Sequence, residues 1–127
     1  MKSISPLVIV DNCDEALKFY QEVLGGEVKI LNKNEGKATF AHFQLDNSLL
    51  QIAHSATAGY PVAHGGNHRI YLQFDNEEEI KKVYEAFKTD GNVDSELQKT
   101  FFGAILAVLT DKFGVNWNLV YVFQNNG

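Results

Sequence analysis

The chain repeats itself, and that restricts the folds open to it more than any other feature. Asp11-Asn12 returns as Asp75-Asn76, 64 residues later. From that anchor Glu15 matches Glu79, Ala16 matches Ile80, Phe19 matches Val83, Tyr20 matches Tyr84 and Val23 matches Phe87. Both sets place apolar residues at i, i+3, i+4 and i+7, the stripe of an amphipathic helix. Each helix opens with Asn followed three residues later by Glu, a start of the capping-box kind that satisfies orphan backbone donors. Each is expected to stop at glycine, Gly25-Gly26 in the first copy and Gly91 in the second.

Strand-like runs flank both helices. Ile4 to Val10 and Ile70 to Phe74 precede them, and Glu27 to Asn32 and roughly Val93 to Lys99 follow. Two hairpins complete the copies. Lys37 to Leu45 turns at Asp46-Asn47 into Ser48 to His54, and Gly103 to Leu109 turns at Asp111-Lys112-Phe113-Gly114 into Val115 to Phe123. The organisation is therefore α+β, a βαβββ module twice over, about residues 1–60 and 65–127, joined by a loop near 55–67. One module of roughly 60 residues with a half-covered sheet would be marginal, so the two are expected to form a single domain with a shared core.

Composition narrows the function classes. A net charge of −5 argues against sequence-independent nucleic-acid binding, which needs a basic patch to displace counterions. The single cysteine, Cys13, excludes a disulfide framework and any Cys-rich metal knuckle. No apolar run approaches the length of a membrane span, and the first residues lack the apolar stretch of a signal peptide. The expectation is a cytoplasmic protein with neither a nucleic-acid nor a membrane partner. No Walker loop, Rossmann glycine fingerprint, nucleophile elbow or paired Cys motif occurs.

A duplicated unit of this kind resembles the vicinal oxygen chelate superfamily, the glyoxalase, bleomycin-resistance and extradiol-dioxygenase group. Three stretches are similar to its PhnB-like branch. They are Asn12-Cys-Asp-Glu-Ala-Leu-Lys-Phe-Tyr20 with Leu24-Gly25-Gly26, then Phe40-Ala-His42, then Thr100-Phe-Phe-Gly103 with Thr110-Asp-Lys-Phe-Gly-Val-Asn-Trp117. The resemblance implies a curved mixed sheet around a cavity, with the helices outside, and commonly a homodimer. It also implies, for metal-dependent members, one divalent ion in that cavity. There His or Gln from each first strand and Glu from each last strand act as ligands, and the metal serves as Lewis acid and template.

Strand alternation says which residues could line such a cavity. If Ile70, Leu72 and Phe74 meet the helix, then Arg69, Tyr71 and Gln73 point inward, and by the repeat so do Ser5, Leu7 and Ile9. In the last strand Trp117, Leu119 and Tyr121 form the helix-facing set and leave Asn116, Asn118 and Val120 inward; Gln51 is inward in the fourth strand. The positions that hold metal in the family then read Ser5, Gln51, Arg69 and Asn118. A slip of one residue in the first strands would make them Ile4, Gln51, His68 and Asn118. The first set contains a cation, which repels a divalent ion, and neither set contains a carboxylate.

Arg69, Tyr71, Gln73, Gln51 and Asn118 are the candidate ligand-binding residues. A guanidinium beside a phenol and an amide suits a carboxylate, phosphate or phenolate, or else Arg69 simply pairs with a nearby carboxylate. His42 is the candidate acid, base or hydrogen-bond donor, with a structural histidine as the alternative. His54, His64 and His68 read as surface residues, Cys13 as a small buried hydrophobe, and Phe101, Phe102, Trp117, Tyr121 and Phe123 as core. The leading reading is a homodimeric protein that binds a small anionic or aromatic molecule with no cofactor. The alternatives are a divalent-metal-dependent lyase, isomerase, dioxygenase or thiol transferase using His68 and Gln51, and a drug-sequestering resistance protein.

Overall fold

Asn12 and Asn76 do open equivalent helices. In a computed structural model describing residues 3–58, 68–100 and 103–123, each Asn side chain accepts from the backbone N–H three residues on, Glu15 at 3.0 Å and Glu79 at 2.8 Å. The helices are α1 (Cys13–Leu24) and α3 (Glu77–Lys88). Between and around them run β1 (Leu7–Val10), β2 (Glu27–Asn34), β3 (Lys37–Leu45), β4 (Ser48–His54), β5 (Ile70–Gln73), β6 (Asn92–Lys99), β7 (Ala104–Thr110) and β8 (Asn116–Val122). A single helical turn, α2 (Ser55–Ala58), follows β4.

The chain divides into two compact units, Met1–His64 and Gly65–Gly127. Each has its own four-stranded mixed sheet, ordered β1-β4-β3-β2 in the first and β5-β8-β7-β6 in the second. The first strand of each unit pairs in parallel with the last, Leu7 opposite Gln51 and Tyr71 opposite Asn118, and the other pairings are antiparallel. One face of each sheet is covered by that unit's helix. In the first unit Tyr20 and Leu17 meet Phe43 and Ile52, all buried, with the Tyr20 and Phe43 rings 6.4 Å apart. In the second, Phe87 packs on Trp117 at 5.0 Å between centroids, among buried Ile80, Val83, Leu109 and Leu119.

Several expected boundaries move. Glycine does not end the second helix. α3 stops at Lys88 and its C-cap is Thr89, while Asp90 takes the left-handed conformation at φ 61°. Gly91 is there for a different reason: a Cβ at that position would lie 2.5 Å from the Thr110 carbonyl oxygen and 2.7 Å from that of Phe87. Gly26, at the equivalent place in the first unit, would put a Cβ 2.6 Å from the Gln44 carbonyl oxygen. In both units glycine lets the connection from helix to strand lie directly against the neighbouring strand. β1 begins at Leu7, after Pro6, which has no N–H to add to a ladder. The stretch expected to be loop from Ser55 starts with α2, because Ser55 Oγ donates to Asp11 Oδ1 at 2.7 Å and His54 Nδ1 accepts from Ala56 N at 3.2 Å. His54 is thus a half-buried capping residue and not a surface one.

Candidate functional site

The strand register sorts the candidate residues without ambiguity. On the face turned away from α1, a row crosses the first sheet as Leu7, Gln51, His42 and Lys29. On the corresponding face of the second sheet the row is Tyr71, Asn118, Val108 and Ser95. Because Leu7 and Tyr71 are related by the repeat, Gln51 corresponds to Asn118 and His42 to Val108. The imidazole is therefore a feature of the first unit alone. Arg69, preceding β5, corresponds to Ser5. This is the first of the two registers expected from sequence, with Tyr71 and Gln73 sharing the face of Asn118.

In the first unit Gln51 Nε2 donates to Ser5 Oγ at 2.7 Å. This hydrogen bond leaves the Gln51 carbonyl oxygen as the amide's outward function. His42 is half-buried, touches the edge of Phe40 at 5.7 Å between ring centres, and makes no hydrogen bond among the described residues. Its nitrogens are uncommitted, so the imidazole can donate or accept toward a ligand.

The second unit is more constrained. Arg69 Nη1 donates to the Trp117 carbonyl oxygen at 3.4 Å and Nη2 pairs with Asp94 Oδ2 at 3.0 Å. Asp94 is in turn fixed by Asn92 Nδ2 at 3.1 Å. Asp94 sits in a β-bulge, since Val93 opposes Leu109 while Ser95 opposes the very next residue, Val108. The extra residue is turned out of the normal alternation toward Arg69. The guanidinium is thus already charge-paired with a nearby carboxylate, the second of the two roles its sequence context allows, and is not an open anion trap. Asn116 is engaged at both ends of its amide, accepting from Thr110 Oγ1 at 2.7 Å and donating to the His68 carbonyl at 3.2 Å. Asn118, two residues on, is the opposite: its Oδ1 is shielded from solvent and has no hydrogen-bond partner among the described residues. Tyr71, beside it, is 60% exposed.

A divalent metal does not fit this donor set. The four family positions supply a hydroxyl already bonded to an amide, a second amide and an arginine, with no carboxylate or imidazole. Among the described residues no three His, Cys, Asp or Glu side chains converge as a metal group would require. His64, Phe101 and Phe102 lie outside the described residues.

The most family-like run, Thr110 to Trp117, turns out to be architectural. Asp111 is buried, and its Oδ1 accepts from the backbone N–H of Phe113 (2.9 Å) and Val115 (3.1 Å) while its Oδ2 accepts from Trp117 Nε1 at 2.9 Å. One carboxylate closes the β7–β8 turn and orients the buried indole. Trp117 is core, as expected, whereas Tyr121 and Phe123 are half-buried and in edge contact at 5.7 Å.

Cys13 is buried, its Sγ 3.9 Å from the Ile52 carbonyl oxygen. Burial, with a smaller contribution from Asp14, raises its pKa from 9.0 to about 11, so the helix dipole does not prevail. Iodoacetamide at pH 8 should label Cys13 no faster than the chain unfolds, and label it rapidly in 8 M urea, roughly the concentration at which small domains are fully unfolded. Fast labelling of native protein would contradict the buried thiol. The linkage has a definite sign. The thiol is held neutral in the fold, so its contribution to stability is fully present below pH 9 and is lost as pH rises toward 11.

Comparison with known proteins agrees with this fold. Residues 3–119 match the family model described as the glyoxalase/bleomycin resistance protein/dioxygenase superfamily. Protein YjdN of Escherichia coli (strain K12) is 24% identical over 141 residues, covering 95% of this chain and 96% of that protein. Among solved structures, protein PA1353 from Pseudomonas aeruginosa superposes with a TM-score of 0.82 at 26% identity, over 96% of this chain and 98% of that one. The PhnB protein from Bacillus cereus superposes at 0.74 with 23% identity, over 95% and 100%, and shares the fold.

Proposed function

The chain belongs to the glyoxalase/bleomycin resistance protein/dioxygenase superfamily, and from that premise we propose that it binds a small organic molecule through side-chain hydrogen bonds and aromatic contact, without a metal. The observation that carries this reading is the amide oxygen of Asn118, held away from water with no donor among the described residues. Such an orphan costs about 1–3 kcal/mol in a folded chain, and a site that must meet a ligand is one reason to keep it. Tyr71 and Gln73 flank it on the same face, and His42 and Gln51 occupy the corresponding face of the first unit. The donor types at the family's metal positions support the metal-free part of the reading. The functional form is a homodimer.

Two experiments test this. Native mass spectrometry of untagged protein purified without chelator should give a dimer mass with no metal excess. One Zn, Ni or Mn per subunit, lost in H68A, would overturn the metal-free reading. A thermal-shift screen of small aromatic compounds should yield stabilisers whose effect falls in N118A, and equal shifts in both proteins would remove Asn118 from the site.

A further inference from the structure

One difference between the two units bears on this face. In the first unit the pairs Val28–Phe43 and Lys29–His42 run without interruption, whereas at the corresponding stretch of the second unit the bulge at Asp94 intervenes. Its consequence is the ion pair with Arg69, buttressed from one side by Asn92 and from the other by the Trp117 carbonyl. A guanidinium held at two points keeps its plane fixed, and three of its five N–H donors are still unassigned among these bonds. Asn118 follows Trp117 directly, and its Oδ1 is sealed from solvent with no partner among the described residues, so its amide can turn either its oxygen or its N–H₂ to a ligand without breaking a hydrogen bond among them. Tyr71, opposite Asn118 in register and two residues from Arg69, adds an exposed ring.

Fixed donors, an unpartnered amide and a ring, with the cationic charge already cancelled, define a class of ligand. We infer that this face recognises an uncharged planar group with both a donor and an acceptor edge, such as a carboxamide, lactam or urea joined to an aromatic ring, and that Asp94 is the residue that turns anions away. The inference rests on the small-molecule reading above and deepens it. A carboxylate meets the Asp94 charge, and like charges repel. A primary amide of the same shape satisfies Arg69 with its oxygen and Asn118 with its N–H.

Benzamide and benzoate make the test, since they differ only in that group. Titrated into the full chain and followed by proton–nitrogen NMR, benzamide should move the Arg69 Nε–H and Asn118 side-chain amide signals with at least about tenfold higher affinity than benzoate. In D94N, whose exposed site tolerates the change, benzoate should gain about tenfold relative to benzamide. Benzoate binding equally well to both proteins at these signals would overturn the role of Asp94 and leave the binding face standing. If neither compound moved these signals in either protein, the binding face itself would be wrong, and the inference with it.

Discussion

Replacing Asp111 with alanine is expected to lower the stability of the chain by about 3 kcal/mol or more, one of the largest losses available from a single side chain. Three donors lose their acceptor together: the Phe113 and Val115 amides and the Trp117 indole, the last of them fully inside the core. A buried donor left unpaired costs about 1–3 kcal/mol, and the turn amides add to it. D111N should recover only part of the loss, because an amide has one acceptor atom and would point its N–H₂ at donors on the other side. Urea unfolding followed by fluorescence of Trp117, the sole tryptophan, reads both variants directly. A D111A loss below about 1 kcal/mol would show that the carboxylate does not hold the turn.

G26A should cost about 3 kcal/mol, and two comparison variants divide that cost between its causes. Gly26 has φ 85° and no room for a Cβ beside Gln44 O. Gly36 has φ 77° with nothing within 4 Å, so G36A carries backbone strain alone, about 1 kcal/mol. Gly91 has the overlap, 2.5 Å from Thr110 O, without a left-handed φ. G91A therefore isolates the steric term, at about 2 kcal/mol since carbonyl oxygens in a ladder cannot step aside. Should G36A prove as damaging as G26A in the same urea experiment, the close approach would not be what selects glycine here.

The repeat makes most of the architecture readable from the sequence alone. Asn12 and Asn76 announced their helices through side chains that act on neighbours three residues away, and Asp46-Asn47 fixed the β3–β4 hairpin with both strand limits correct. Local chemistry of this kind is written in local sequence. Gly91 misled because glycine signals a helix stop and a close approach with the same letter, and only the position of Thr110 tells them apart. Arg69 is the instructive case at the candidate site. Its face followed from alternation, but its partner Asp94 lies three strands away and reaches it through a bulge that breaks the very alternation used to place residues. Asp111 was visible as part of a motif, yet its role as a latch needed the distance to the Trp117 nitrogen.

The strand order also dictates a sequence of events during synthesis. In each unit the strand made last is an inner one: β4 lies between β1 and β3, and β8 between β5 and β7. The β2–β3 and β6–β7 hairpins can close within about 10 μs of emerging from the ribosome. β1 and β5, by contrast, must wait with no partner until translation reaches the far end of their unit. Each unit is therefore finished by slotting a strand between two waiting edges, a non-local closure that comes after every local one. Those edges are adhesive while they wait, so a pause in translation just before Ser48 or Asn116 would hold the nascent chain in its most aggregation-prone form, once for each unit.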